Sequence, residues 1–233
     1  MNLLALDTSS SGCSAALLTD GQLTERFELA PRGHTRLLMP MVRELLAQAG
    51  MAPADLDALA FARGPGSFTG LRIATGVVQG MAWGLDLPAV PVSSLQAVAL
   101  SAIETHGLSD GDGIAVAFDA RMGEVYMGVY SCEGQLPVAL AEERVCPPEA
   151  VTLPESGPQR WVAAGSGWAF REAMAGTVVE RLARVDESLL PRASAVARLA
   201  ERAFLRGETV TAEQAQPVYV RDEVSWQKLP GRK

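Results

Sequence analysis

Four short stretches combine residue types that could act on a phosphate, a metal ion or a sugar. Asp7-Thr8-Ser9-Ser10 offers a carboxylate, hydroxyls and amides at the end of an apolar run. That grouping suits phosphate oxygens or magnesium, and serves equally as a polar β-turn. Gly64-Pro65-Gly66-Ser67-Phe68-Thr69-Gly70 sets flexible amides and a capping Ser67 before a helix, a natural anion position. Asp119-Ala120-Arg121 could hold a phosphate or close on itself as an ion pair. Gly165-Ser166-Gly167 could lay backbone against a base or sugar, or be a plain turn. None completes a catalytic signature. The loop lacks the Gly-Lys-Ser/Thr of a P-loop, its glycine spacing is one residue too long for a dinucleotide fingerprint, and Val90-Pro91-Val92-Ser93 supplies no ribose-binding acid. Ala164 and Trp168 stand where a Gly-x-Ser-x-Gly elbow needs glycines.

Cys13, Cys132 and Cys146 are odd in number and widely spaced, which rules out a disulfide framework and a Cys-x-x-Cys pair. They are expected to be reduced and buried. His34 and His106 are too far apart in sequence for a local imidazole cluster, so no metal is expected, with carboxylate-bound magnesium left open.

The elements that must position these stretches follow from periodicity. Apolar strands are predicted at 2–5, 13–19 and 22–29, with Asp20-Gly21 as the hairpin turn. Leu37, Leu38, Met41, Val42, Leu45, Leu46 and Ala49 fall on one face of a helix over 35–49, stopped by Gly50. Pro40 is harmless there only in the first turn. A strand at 56–62 runs into the Gly64 loop, followed by a helix to Leu85, a strand at 89–92 and a helix at 94–104 capped by Ser93 or Ser94. Residues 105–113 read as a linker, after which the pattern restarts with strands at 114–118, 124–130 and 135–139, another at 161–164, a helix to Ala175 and a helix over 193–206. Pro217 to Arg221 reads as extended. Both halves open as strand, acid-bearing turn, strand, glycine turn, strand, the trace a duplicated domain leaves. The expected units are 1–106 and 107–233, with the C-terminal segment free to pack back on the first.

The helix after the Gly64 loop carries Gly70, Ala74, Gly76, Gly80 and Gly84. A helical glycine costs about 1 kcal/mol relative to alanine, so the series calls for close approach by another helix, in this chain or another.

Composition narrows the function. The 233 residues are 48% hydrophobic and carry a net charge of −7, with a pI near 5.0. An acidic chain is a poor free-standing nucleic-acid binder, so any role in RNA chemistry is expected to be indirect. The basic tail Gln227–Lys233 reads as solvated. No apolar run reaches the roughly 18 residues of a membrane span, and Asp7 interrupts any signal-peptide core, so the chain is expected to be cytoplasmic.

Leu6-Asp7-Thr8-Ser9, the run from Gly64 through Leu71-Arg72, Asp119-Ala120-Arg121 with Glu124-Val125-Tyr126, and Pro217-Val218-Tyr219-Val220-Arg221 together resemble the TsaB (YeaZ) family. The resemblance covers nearly the whole chain. It implies an α/β fold of two similar actin-like, sugar-kinase and Hsp70 ATPase (ASKHA) subdomains, with mixed sheets and flanking helices. It implies a role in placing threonylcarbamoyladenosine (t6A) beside the tRNA anticodon as a non-catalytic scaffold or activating subunit of the catalytic TsaD, with the ATPase TsaE as a further partner and tRNA met only through the complex. TsaD-like proteins carry a His-x-x-x-His metal pair on the helix matching 35–49. Here Leu38 follows His34 by four, and the pair is absent. Family interfaces use helices of the first subdomain, which points to Leu38, Met41, Val42, Leu45, Gly70, Ala74, Val77, Gly80 and Met81, in a heterodimer with TsaD or a homodimer when alone. No cofactor is required by the residues. ATP or ADP with magnesium at a subunit boundary is the candidate, with Asp7, Thr8, Ser9, Asp119, Arg121, Gly165, Ser166 and Gly167 as its contacts. The competing expectation is an independent magnesium-dependent kinase or ATPase of the same fold.

Overall fold

Strand β1 (Asn2–Asp7) alternates its side chains between two apolar layers, Leu4 and Leu6 on one face and Leu3 and Ala5 on the other. Both faces of this strand are therefore covered by other layers. In the computed structural model, which describes residues 1–220, β1 pairs antiparallel with β2 (Gly12–Thr19), and β2 with β3 (Gln22–Leu29). Asp20 and Gly21 both have positive φ, as a two-residue hairpin of right-handed strands requires. Strands β4 (Ala58–Gly64) and β5 (Ala89–Ser93) extend the other side in parallel, for the order β3-β2-β1-β4-β5.

Helices α1 (His34–Ala49) and α2 (Phe68–Leu85) cover the Leu4/Leu6 face. Pro40 is the seventh residue of α1, deeper than the first turn. It and Arg36 are both exposed, so the Arg36 carbonyl that loses its amide partner lies at the solvent side. Helix α3 (Ser94–His106), capped by Ser93, leads through Gly107 and Gly111 into the second sheet.

That sheet repeats the first. Strands β6 (Gly113–Arg121), β7 (Glu124–Glu133) and β8 (Leu136–Ala139) form an antiparallel meander, and β10 (Trp161–Ala164) and β11 (Leu182–Asp186) add in parallel beyond β6. A short β9 (Arg144–Cys146) pairs with β7. Neither β9 nor β11 is legible in sequence: one has three residues, and the other is a largely exposed edge without an apolar run. The helix expected up to Ala175 is instead a 3-10 turn over Ser166–Ala173 followed by the short α4 (Gly176–Val179).

After β11 the chain returns to the first sheet, so the C-terminal segment of 107–233 packs back on the first unit. Helix α5 (Ala193–Leu205) packs its alanine-rich face on the Leu3/Ala5 side. Its N-terminus has no local cap. The Ser14 hydroxyl accepts from the Ala193 amide at 2.9 Å and Glu25 Oε1 from the Ser194 amide at 2.9 Å, while Glu25 Oε2 accepts from Arg192 at 2.6 and 3.0 Å. The segment beyond runs back along α2: Val210 bridges Ala89, the Ala215 carbonyl accepts from Gln79, the Val218 amide donates to the Arg63 carbonyl, and Tyr219 meets Arg72. Arg221 and the basic run Gln227–Lys233 lie outside the described residues.

Because Glu25 closes the open end of α5 and holds Arg192, Glu25→Ala is expected to destabilise the fold by about 1–3 kcal/mol. Denaturant unfolding would measure the loss, and hydrogen exchange should rise first at the Ala193 and Ser194 amides.

Candidate functional site

The turn after β1 is built around Asp7, which is 0% exposed. Its Oδ1 accepts from the Ser9 amide at 2.8 Å, and Oδ2 has no hydrogen-bond partner. Burial pushes the carboxyl from its ordinary 3.8 up to about 6, with the Ser9 hydrogen bonds and the nearby His34 offsetting part of the rise. His34 opens α1 and is buried, its Nε2 lying 3.1 Å from both the Ser10 and Gly12 carbonyls. A ring nitrogen facing two acceptors must carry its hydrogen and donate. His34 is therefore engaged in holding the turn.

The Gly64–Gly70 loop lies directly on this turn. A Cβ at Gly66 would overlap the Ser9 carbonyl, and one at Gly70 the Thr8 carbonyl. The Ser67 amide donates to the Ser9 carbonyl at 2.7 Å, and the Ser67 hydroxyl caps α2 by accepting from the Gly70 amide at 3.3 Å. Thr8 Oγ1 donates to the Gly70 carbonyl at 2.6 Å and accepts from the Ala74 amide at 3.2 Å, standing between two groups that an α-helix pairs with each other. In the run that reads in sequence as an anion cradle, the Ser67 and Gly70 amides are thus already engaged by the Ser9 carbonyl and the Ser67 hydroxyl. Outside it, Arg72 stacks 4.0 Å over the exposed Phe68 ring and donates to the Tyr219 hydroxyl at 3.1 Å.

The second-sheet residues make a separate cluster. The Ser166 hydroxyl accepts from the Asp119 amide at 3.3 Å, and Asp119 takes both the Arg121 amide at 2.7 Å and its guanidinium at 2.9 Å. Gly165 and Gly167 pack against β6 so closely that a Cβ on either would overlap the Ala117 backbone. The structure therefore brings Asp119, Arg121 and Ser166 together, in an environment unlike that of Asp7: the Asp119 side chain is 28% exposed and that of Arg121 86%. Enclosed Asp7, with the Ser67 amide already engaged, does not fit a magnesium–nucleotide contact in this arrangement. Among the described residues no three His, Cys, Asp or Glu side chains converge to hold a metal, and no helix is long and apolar enough to cross a membrane.

The interface expectations need correction at six positions. Leu38, Met41, Val42, Leu45, Gly70 and Ala74 are buried by this chain's own first sheet and the turn after β1. An apolar helical face satisfies the nearest sheet first, and periodicity cannot distinguish that sheet from a partner. Val77 and Met81 are half-buried against the same core, and Gly80 is exposed. Space for a Cβ is open at Gly76, Gly80 and Gly84, so no helix among the described residues explains them. Sequence alone does not place His34 beside Asp7, because only folding brings the start of α1 to the end of β1.

Two mixed sheets with flanking helices and one repeated strand plan define an α/β protein of the ASKHA type. A family model described as TsaD, tRNA N6-adenosine threonylcarbamoyltransferase, matches residues 27–228. The chain is 41% identical over its full length to the whole of the Escherichia coli tRNA threonylcarbamoyladenosine biosynthesis protein TsaB, and 40% identical, again over its full length, to the Haemophilus influenzae protein of that name, covering 98% of it. The crystal structure of a Pseudomonas aeruginosa protein described as similar to peptidase YeaZ superposes with a TM-score of 0.88 at 46% identity, over 94% of this chain and 99% of the other. The chain belongs to the TsaD family of that model and, within it, to the TsaB proteins of tRNA threonylcarbamoyladenosine biosynthesis.

Two substitutions test the turn. The Asp7 pKa is raised in the fold, so the stability gained from holding its proton is whole below about pH 4 and lost as pH passes about 6, where the buried carboxylate costs about 3 kcal/mol. Asp7→Asn is expected to stabilise the protein by about 1–2 kcal/mol at pH 8, a gain that shrinks toward zero near pH 4 in paired denaturation curves. Thr8→Val keeps the shape but strands the Gly70 carbonyl and Ala74 amide, and should lower stability by about 1–3 kcal/mol at either pH.

Proposed function

We infer that this chain is a non-catalytic subunit that docks on a TsaD-type threonylcarbamoyltransferase and supports its transfer of threonylcarbamoyl to tRNA adenosine. The observation that carries this reading is the outer face of α2. Among the described residues no atom lies within 4 Å of where a Cβ on Gly76, Gly80 or Gly84 would stand, and Trp83 beside them is 70% exposed. Three helical glycines cost roughly 1 kcal/mol each, and a cost that no described residue repays fits a backbone arriving from outside. A helix of a related fold, in TsaD or in a second copy of this chain, has the shape to fill that groove.

The lack of independent catalysis is supported from two sides. Leu38 is a core residue where the second histidine of a His-x-x-x-His pair would stand, and His34 is engaged by two carbonyls. Asp7, the acid an independent kinase would need, is walled in by Gly66 and Gly70. The subunit then acts through what it holds in place on its partner, with TsaE joining the assembly and tRNA reached through TsaD.

The test is t6A formation on tRNA by TsaD, TsaE and the threonylcarbamoyl-adenylate synthase, with and without this chain. Formation that requires the chain supports the reading, and equal formation without it overturns the subunit role. Gly80→Leu separates interface from fold. In the isolated chain it should leave stability unchanged or raise it by up to about 1 kcal/mol, while weakening association with TsaD at least about tenfold, a loss of about 1.4 kcal/mol. Unchanged affinity in the folded variant would place the contact elsewhere.

A further inference from the structure

Glu143 lies between β8 and β9 and belongs by sequence to the second subdomain, yet its carboxylate is shared across the joint. Oε1 accepts from the Tyr130 hydroxyl of β7 at 2.7 Å and from the Ser93 hydroxyl, which ends β5 of the first sheet. Ser93 Oγ is at the same time the cap of α3, accepting from the Leu95 and Gln96 amides at 3.1 and 3.2 Å. A second tie runs alongside, from Gln96 Nε2 to the Pro137 carbonyl of β8 at 3.2 Å. The first sheet, the helix between the sheets and the second sheet thus meet on one oxygen. The site is shaped for it: Tyr130 is 1% exposed, and a Cβ at Gly128 would lie 2.7 Å from its hydroxyl, so the ring folds back into room that only glycine leaves.

The same joint carries buried polar atoms that stay unpaired while it is shut. Ser94 Oγ, next to the cap, and Arg63 Nε, on a residue whose charge reaches Tyr130, have no hydrogen-bond partner. Such atoms oppose closure, because water would serve them if the joint opened. Elsewhere the main chain passes between the sheets twice, at 107–112 and at 187–192, and Gly107 and Gly111 in the first crossing have positive φ. Two short crossings are where a hinge between the sheets would sit.

We propose that Glu143 is a latch: seated on Ser93 and Tyr130 it holds the two sheets at one angle, and withdrawn it lets them swing about the paired crossings. Opening would expose the α3 N-terminus, Tyr130 and Arg63 together. The latch is independent of the reading of α2 as a docking face and is testable on the chain alone.

Spin labels on cysteines placed at exposed Arg43 and Glu155 report the distance between subdomains, since native Cys13, Cys132 and Cys146 are buried and resist labelling. One narrow distance population is expected with Glu143 intact. Glu143→Ala should add a longer population, raised about five- to tenfold over the parent, while Glu143→Gln, which keeps an oxygen for both hydroxyls, should restore most of the narrow one. Tyr130→Phe removes one donor without touching the α3 cap and should give a smaller shift in the same direction, so a poorly folded Glu143→Ala leaves the idea open to refutation. Unchanged distances in folded Glu143→Ala, or in Tyr130→Phe if the first variant does not fold, would overturn the latch.

Discussion

Thr8 stands in the first turn of α2, its hydroxyl between the Gly70 carbonyl and the Ala74 amide, and much of the first subdomain follows from that insertion. The approach is possible only because residues 66 and 70 have no side chain, since a methyl on either would occupy the Ser9 or Thr8 carbonyl. It locks the end of β1 to the start of α2, shuts Asp7 away from water, and leaves α2 with one face on the sheet and the other facing outward. Asp7 remains as a carboxyl raised to about 6 by burial. Its neighbours close over it, with Gly66 and Gly70 against the Ser9 and Thr8 carbonyls.

The enclosed turn, the missing second histidine and the open stripe on α2 are consistent with one another. At the end of β1 the chain packs backbone on backbone, and on α2 no described residue covers Gly76, Gly80 and Gly84. Helix α5 is fixed to the first sheet by its Glu25 and Ser14 contacts, and the second subdomain meets the first at the Glu143 joint.

Much of the fold was legible in order. Asp20-Gly21 marked the first hairpin, the 3.6-residue rhythm from Leu37 to Ala49 marked α1, and the recurrence of strand, acid-bearing turn and strand marked the duplication. β11 was not legible, because an exposed parallel edge has no apolar alternation to display. The 3-10 turn over Ser166–Ala173 was not either, because its form is set by Gly165 and Gly167 pressing on β6. Several candidate residues read in sequence as surfaces and are covered in the fold: Gly66 and Gly70 read like amides awaiting an anion, and Leu38 to Leu45 like a face awaiting a partner.

By itself the sequence determined the local elements, the repeat and the family, since propensity, turn chemistry and motif spacing are properties of neighbouring residues. Tertiary structure alone decided which apolar face of each helix was already covered, that α5 returns to the first sheet, and that His34, Thr8 and Gly70 meet around a buried acid. Those outcomes depend on distances between residues 22 to 179 positions apart, from His34 at Gly12 to Ala193 at Ser14, and no periodicity in a linear chain carries that information.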